Sequence, residues 1–334
     1  MEKKKRLKYK IVEQGGEQIV LKKSSAIAYY DEDGNAVMKK RPPESNILTK
    51  RDRGDKILFT VMTVVLAVQC ISLFLPILWV IISSFKEKNE FLFPTSIISF
   101  PARWEFENYI EVFSLIEAEG TTFMGMLFNS VWYTVLSTAL RVFCPAVTAY
   151  VISKYQFVGK NFLYAMTVTI LTIPIVGMGG SMLRLVGDLG VYDSPMYVVL
   201  TAMSGFTGNF LVYYGFFKSV SWSYAEAAQM DGANPFVVFF KIMLPQAAPI
   251  MLTYAITMGI SHWTDYSTML LFLPSWPTIA SGLYVASTAI ERYSGGDTPV
   301  YYAGLILSLI PTVVVFALFS NKIMTSISIG GLKG

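Results

Sequence analysis

The chain has 334 residues, of which 53% are hydrophobic and 15% are charged. Soluble domains have roughly 25% charged residues, so this composition excludes an ordinary soluble protein and indicates a membrane protein. The formal net charge of +4 does not indicate nucleic-acid binding, because the basic residues are concentrated in residues 1–56, ahead of every apolar span.

Residues 1–56 form a basic segment that we interpret as a cytoplasmic tail, since lysine and arginine are enriched on that side of a membrane. The apolar core of a signal peptide would lie within about the first 15–30 residues, and none is found there, so we expect the tail to stay attached. Asp33-Gly34, between two short apolar runs, predicts a β-hairpin. The simplest interpretation of the tail is a solvated arm near anionic lipid.

Six apolar runs approach or exceed the about 20 residues that a bilayer requires. The predicted spans are 57–84, 124–153, 162–180, 195–217, 247–271 and 301–320. The loop between Lys154 and Lys160 is basic and is predicted to lie inside, whereas residues 86–120 contain seven glutamates against three basic residues and are predicted to lie outside. Six spans with both termini in the cytoplasm satisfy this pattern.

Two spans contain helix-breaking residues. Pro145 predicts a kink in the second span. Pro174, Gly177 and 179–180 fall in the third span, and irregular backbone at membrane depth is tolerated where it packs in protein or lines a cavity. The third span is therefore a candidate lining element, the alternative being that its helix frays at the membrane edge.

Residues 221–246 form a polar turn segment between two long apolar runs. Ser223 followed three residues later by Glu226 has the spacing of a capping box, which predicts a short helix beginning near Tyr224. Gly232 suits the left-handed conformation that ends such a helix.

A second helix is predicted directly after that turn. Asn234 and Pro235 are the residue types that cap a helix and occupy its first position. Pro245 lacks a backbone donor and disfavours a helical residue before it, so it predicts a break ahead of the next apolar run.

The same segment resembles a known family. Glu226-Ala227-Ala228, Asp231-Gly232-Ala233, and Ile242 with Leu244-Pro245 are similar to the Glu-Ala-Ala loop of ABC importer permeases. The spacing of the spans and the C-terminal Gly-Gly-Leu-Lys-Gly resemble the maltose-type, carbohydrate-importing branch of that family. The resemblance covers about residues 57–334.

This resemblance implies an all-α membrane protein with the type I ABC importer permease fold, in the bacterial cell membrane. Its parts would be the tail 1–56, a permease domain 57–330 and a short C-terminal tail 331–334. The loop would be a cytoplasmic coupling helix that docks on a separate ATPase. The implied coupling residues are Glu226, Ala227, Ala228, Asp231, Gly232, Ala233, Leu244 and Pro245.

The resemblance also implies an assembly. The partners would be a second, homologous permease, two ATPase subunits that bind ATP with Mg²⁺, and an extracellular solute-binding protein. The chain itself contains no G-x-x-x-x-G-K-[ST] phosphate loop, so we expect it to bind no nucleotide or other cofactor. It also lacks a nucleophile elbow and an H-E-x-x-H pair, and we expect a transport subunit, not an enzyme.

Charged residues inside spans are costly and are therefore candidate functional residues. Asp265 with Trp263 could present a carboxylate and a ring face to a sugar on its path through the membrane. Alternatively, Asp265 is hydrated near the external end, or is paired with Arg141. His262 is the only histidine, so no metal site is expected, and a structural hydrogen bond is the simpler role.

Two other functions are alternatives to a sugar permease. An ion-coupled secondary transporter would favour several acidic groups at the midplane and inverted repeats, and only Asp265 is a candidate. A permease for a different solute, such as a peptide or an amino acid, fits the loop equally well. The sequence does not name the cargo.

Overall fold

The computed structural model describes residues 9–14, 17–22, 26–30, 36–40, 53–93, 97–173, 177–292 and 297–331. The surroundings of side chains are described within 57–93, 97–173, 177–290 and 297–319. The chain divides into two compact units, Met1–Leu75 and Pro76–Gly334.

The first unit contains two antiparallel strand pairs. Strand β1 (Tyr9–Gln14) pairs with β2 (Glu17–Lys22), and β3 (Ala26–Tyr30) pairs with β4 (Ala36–Lys40). The predicted hairpin at Asp33-Gly34 is confirmed by the β3–β4 pair, although residues 31–35 lie outside the described residues. The β1–β2 pair was not predicted, even though Gly15-Gly16 between its strands is a two-residue hairpin signal.

The prediction of an all-α chain is therefore wrong in detail. Besides these pairs, β5 (Glu117–Ala118) pairs with β6 (Thr121–Thr122). The remaining elements in the described residues are a 3₁₀ turn at Lys88–Leu92, a π-helical turn at Phe239–Met243 and thirteen α-helices. The α-helices are α1 (Arg53–Ser83), α2 (Asn108–Leu115), α3 (Phe123–Lys154), α4 (Lys160–Thr172), α5 (Gly179–Asp188), α6 (Met196–Ala202), α7 (Gly208–Ser219), α8 (Ser223–Met230), α9 (Pro235–Val238), α10 (Leu244–Trp263), α11 (Ser267–Phe272), α12 (Ile279–Arg292) and α13 (Thr298–Gly331).

Four helical stretches in the described part of the chain are long and apolar enough to cross a membrane. They are Ile57–Ser83, Phe123–Lys154, Pro235–Trp263 and Thr298–Phe319. They overlap the predicted first, second, fifth and sixth spans, and Pro145 lies inside the second of them, buried among its neighbours. The bounds of the fifth are wrong, because its helical stretch begins at Pro235 and ends at Trp263 where 247–271 was predicted. The long apolar helices that the composition indicates are thus present in the described part of the chain.

The predicted third and fourth spans are not continuous helices. α4 ends at Thr172 and α5 begins at Gly179, while Pro174, which was expected to interrupt this span, lies outside the described residues. Residues 203–207 separate α6 from α7. At this break the backbone comes close to α3, because a Cβ added to Gly205 would collide with the side chain of Thr148.

Helix α3 is the centre of the second unit, and it contributes residues to each of three buried apolar clusters. One cluster surrounds Tyr150 with α7 and α10, a second surrounds Met126 with α2 and α12, and a third surrounds Tyr133 with α6 and α11. Because one helix takes part in all three clusters, the segments that follow it are positioned against a common support.

The segment that follows α1 folds back on itself through a buried lysine. The Lys86 ammonium donates to the Ile97 carbonyl at 2.8 Å, and Asn108 Nδ2 donates to the carbonyls of Ser84 and Lys86 at 2.9 and 3.0 Å. Burial lowers the pKa of Lys86, and the nearby Glu90 carboxylate acts in the opposite direction. These bonds tie α2 to the end of α1.

Candidate functional site

Helix α8 opens the segment 221–246 and begins at Ser223, within one residue of the prediction. The predicted capping box is wrong. Trp222 occupies the cap position with helical dihedrals, φ −72° and ψ −18°, and its side chain makes no capping hydrogen bond. Ser223 therefore lies inside the first turn, where its hydroxyl is 2.7 Å from the Ser221 hydroxyl.

Gly232 ends α8 in the predicted left-handed conformation, with φ +84°. Its N–H donates to the Gln229 carbonyl at 3.0 Å, and the Ala233 N–H donates to the Ala228 carbonyl at 2.9 Å. These two bonds form a Schellman motif, which satisfies carbonyls that the end of a helix leaves free. The turn is thus fixed by backbone hydrogen bonds.

The predicted cap of the next helix is confirmed. Asn234 Oδ1 accepts from the Val237 N–H at 2.9 Å, and Pro235 occupies the first helical position. The two caps leave a single residue, Ala233, between the glycine and the asparagine. This short spacing keeps α8 and α9 in a fixed relation.

Replacing Asn234 with alanine is expected to destabilise this turn by about 1 kcal/mol, since the Val237 N–H loses its acceptor. Hydrogen exchange of the amides in residues 235–238 should become faster. Asn234→Asp keeps an acceptor oxygen at the same position and is the control. Unchanged exchange in the alanine variant would show that the cap contributes nothing.

Helix α10 does not begin after a break, and the predicted interruption at Pro245 is wrong. Residues 235–263 form one helical stretch in which Phe239–Met243 is a π-helical turn. In this turn the Leu244 N–H donates to the Phe239 carbonyl, five residues back. Such a local adjustment accommodates a proline that lacks a donor and needs space for its ring.

The inner side of the segment is anchored in the protein core. Ala225, Val238 and Met243 are fully buried in the cluster around Tyr150. The rings of Phe239 and Tyr150 have centroids 4.8 Å apart. Helix α8 and the turn that follows are consequently held against the end of α3.

Two contacts next to α8 extend this anchor. The Lys154 ammonium, at the last residue of α3, donates to the Val220 carbonyl. The Trp222 ring meets the Tyr155 ring edge-on at 5.9 Å. The entry to α8 is therefore attached to α3 by both a polar and an aromatic contact.

The outer side of the segment carries large apolar side chains that the described part of the chain leaves exposed. Tyr224 is 56% exposed, Met230 88% and Phe236 76%. Exposed apolar groups interspersed with polar ones are typical of a surface that binds another protein. The segment therefore has a buried inner side and an exposed apolar outer side that is suited to binding another protein.

The residues implied in coupling divide between the two sides of the segment. Four are exposed: Glu226, Ala227, Asp231 and Gly232. Ala228 and Ala233 are partly buried and pack against the core cluster. Leu244 is half-buried, and Pro245 is exposed within the continuous helix beyond the turn.

The second group of candidate residues surrounds Asp265. Its Oδ2 accepts from the Tyr133 hydroxyl at 3.0 Å, and its Oδ1 accepts from Ser267 Oγ and the Thr268 N–H, both at 3.1 Å. The ion pairs in the described part of the chain are Lys88–Asp297 and Arg103–Glu105. The alternative in which Asp265 pairs with Arg141 is therefore not formed.

Trp263 and Asp265 do not share one site. Trp263 Nε1 donates to the Ser308 carbonyl at 3.0 Å, and the ring lines a cavity of about 430 Å³ between α3, α10 and α13. Asp265 does not line that cavity. His262 packs edge-on against the Tyr133 ring at 5.6 Å, and its Nε2 is buried without a partner, so the structural hydrogen bond expected of it is not seen there.

Residues 142–324, more than half of the chain, match the family described as the binding-protein-dependent transport system inner membrane component. The chain belongs to this family. The predicted resemblance is thereby confirmed, and the chain is a membrane permease of a transport system.

Two characterised permeases are similar over most of their length. The chain is 29% identical over 271 residues to the trehalose transport system permease SugB of Mycobacterium tuberculosis, covering 78% of this permease and 92% of SugB. It is 29% identical over 266 residues to the diacetylchitobiose uptake system permease NgcG of Streptomyces coelicolor, covering 77% of this permease and 83% of NgcG.

A solved structure has the same fold. A chain of a bacterial ABC transporter involved in the import of the acidic polysaccharide alginate superimposes with a TM-score of 0.65 at 23% identity, covering 81% of this permease and 98% of that chain. This permease thus has a known fold.

Sequence reasoning missed two features of the permease. The bond between Tyr133 and Asp265 joins residues 132 positions apart, and no local pattern indicates it. The exposed face of Tyr224, Met230 and Phe236 did have a signal, because these large apolar residues interrupt a polar turn. Among the described residues, no group of three histidine, cysteine or acidic residues could hold a metal ion.

Proposed function

We propose that this permease is a membrane subunit of an ATP-driven importer for a sugar or an oligosaccharide. The relatives SugB and NgcG are named for trehalose and diacetylchitobiose, and both are similar to this chain over nearly 80% of its length. Membership of the binding-protein-dependent family supports an extracellular solute-binding protein as the source of the cargo.

The proposed assembly contains a second permease, two ATPase subunits carrying ATP with Mg²⁺, and the binding protein, in a bacterial cell membrane. The permease itself would bind no nucleotide, in keeping with a sequence that has no phosphate loop. Six crossings with both termini in the cytoplasm fit the charge pattern, with α4–α5 and α6–α7 as the two discontinuous crossings.

The observation that carries the coupling mechanism is the two-sided character of segment 221–246. Its inner face is locked into the core around Tyr150, and its outer face exposes Tyr224, Met230 and Phe236. A segment of this kind moves as one body with the helices it anchors. Closure of the ATPase pair would displace it and switch the path between outward and inward access, a two-state motion biased by nucleotide.

The test is copurification of the ATPase with the tagged permease after coexpression. Met230→Asp is expected to reduce the recovered ATPase about tenfold or more, because a buried interface anchor contributes about 2 kcal/mol or more to binding. Val158→Asp is the matched control, since Val158 is also fully exposed but lies outside the segment, in the loop between α3 and α4. Equal recovery with both variants would contradict docking at this face.

Uptake into vesicles separates this function from ion-coupled transport. We expect sugar uptake to require ATP inside the vesicle and to survive collapse of the proton gradient. Uptake that persists without ATP and stops when the gradient is lost would establish a secondary transporter instead.

A further inference from the structure

A polar stripe runs along the middle of α3. Thr134, Thr138 and Arg141 are spaced by four and three residues, which places them on one face of the helix. Each has a buried polar atom without a hydrogen-bond partner: the two threonine Oγ1 atoms and Arg141 Nε. Buried polar atoms normally have partners, so a stripe of three that lack them among the described residues is a candidate binding surface.

Arg141 is the unusual member of the stripe. It makes neither a hydrogen bond nor an ion pair with any residue that the structure describes. It is the nineteenth residue of a 32-residue span and therefore lies about 27 Å from the start of the helix, near its middle. An unpaired charge at this depth is costly and marks a functional position.

Asp265, the carboxylate considered above as a partner for Arg141, already accepts hydrogen bonds from other groups. Asp265 accepts three hydrogen bonds, from Tyr133, Ser267 and the Thr268 N–H. The carboxylate thereby stabilises the end of α10 and the start of α11, and it leaves the Arg141 guanidinium without a counter-ion from the described chain.

Helix α10 lies directly opposite the stripe. A Cβ added to Gly259 on α10 would lie 3.8 Å from Thr138 Oγ1, so the two helices face each other here across a residue with no side chain. One turn along α10, His262 has its Nε2 buried without a partner. Thr134, Thr138 and Gly259 also line the largely apolar cavity of about 430 Å³, whereas Arg141 and His262 do not line it.

The neighbouring span is interrupted between α6 and α7. In the interruption, Thr207 Oγ1 is again buried without a partner. Irregular backbone at membrane depth is tolerated where it lines a cavity, and broken helices frequently form the binding sites of transporters. Unpartnered groups thus come from three elements: α3, α10 and the break before α7.

We propose that Arg141 recognises the charge of the cargo, and that the cargo is a saccharide carrying a carboxylate on its ring. This inference rests on the proposed function as a sugar importer. A guanidinium binds a carboxylate through two parallel hydrogen bonds, a geometry that a neutral hydroxyl does not offer. The threonine hydroxyls and His262 supply donors and acceptors for the sugar hydroxyls.

The test compares two disaccharides in liposomes that contain the complete transporter, with its partner subunits and binding protein. Digalacturonate and the corresponding neutral galactose disaccharide differ only in their carboxylates. ATP-driven uptake of digalacturonate is expected in the wild type, and Arg141→Gln is expected to reduce it about 10- to 100-fold, the range for loss of a hydrogen bond to a charged group. Arg141→Lys should retain more uptake than Arg141→Gln, because the charge remains.

Arg184→Gln is the matched control, since Arg184 is exposed on α5, outside the stripe. Wild-type transport of the neutral disaccharide but not of digalacturonate would overturn the inference and leave the proposed function intact. Uptake of both sugars without ATP would overturn the proposed function itself. Loss of the second permease from the purified Arg141→Gln complex would assign the arginine to the subunit interface and would also overturn the inference.

Discussion

Replacing Gly232 with proline is expected to leave the permease in the membrane while ATP hydrolysis no longer drives sugar uptake. Gly232 has φ +84°, and its N–H donates to the Gln229 carbonyl. Proline requires φ near −65° and has no N–H, so the turn between α8 and α9 cannot form. The exposed face then loses its fixed orientation. Vesicle uptake and ATPase activity, measured together, should show hydrolysis without transport.

Two further variants make this result specific. Gly190 also has a positive φ, +67°, and its N–H donates to the Gly187 carbonyl, so Gly190→Pro causes the same lesion outside segment 221–246 and should leave coupling intact. Glu226→Lys reverses an exposed charge on α8 without a backbone change, and we expect it to uncouple as well. Normal ATP-driven uptake in both Gly232→Pro and Glu226→Lys would refute the coupling role.

Replacing Gly205 with alanine is expected to destabilise the permease by about 1–3 kcal/mol, the usual cost of overpacking. The new Cβ would collide with the side chain of Thr148, whose hydroxyl is held by a hydrogen bond of 3.0 Å to the Cys144 carbonyl. The break between α6 and α7 would move away from α3. The melting temperature of the detergent-solubilised protein measures the effect.

Thr148→Ala should relieve much of this cost, because it removes two of the atoms that the new methyl group meets. We expect a coupling energy of at least about 0.5 kcal/mol in the double-mutant cycle. Gly187→Ala, with no atom within 4 Å of the added Cβ, is the control and should be close to neutral. Strict additivity of the Gly205 and Thr148 changes would show that the two residues do not touch.

The sequence predicts best where structure depends on local chemistry. Long apolar runs identified the four helices that could cross a membrane, and glycine and asparagine identified the turn at Gly232 and the cap at Asn234. The break before α7 was not predicted, and neither was the close approach of Gly205 to Thr148 on α3 that accompanies it. Contacts between residues far apart in the sequence cannot be predicted from local sequence patterns.

The candidate site shows the same division. Ser223 and Glu226 have the right spacing for a capping box, but Trp222 packs against Tyr155 with helical dihedrals, and this tertiary contact shifts the helix start. Likewise, the sequence singled out Asp265 as a polar group of the predicted fifth span, but its hydrogen bond to Tyr133 on α3 was not predicted. Local propensity named the candidates, and packing decided their roles.

The π-helical turn at Phe239–Met243 also determines which side chains of α10 face α3. An α-helix turns by about 100° per residue, so the insertion or deletion of a single residue within 239–243 would rotate every later side chain of α10 by that angle. Gly259 and His262 would then no longer face α3. The π-helical turn thus fixes the rotation of α10 about its axis relative to segment 221–246.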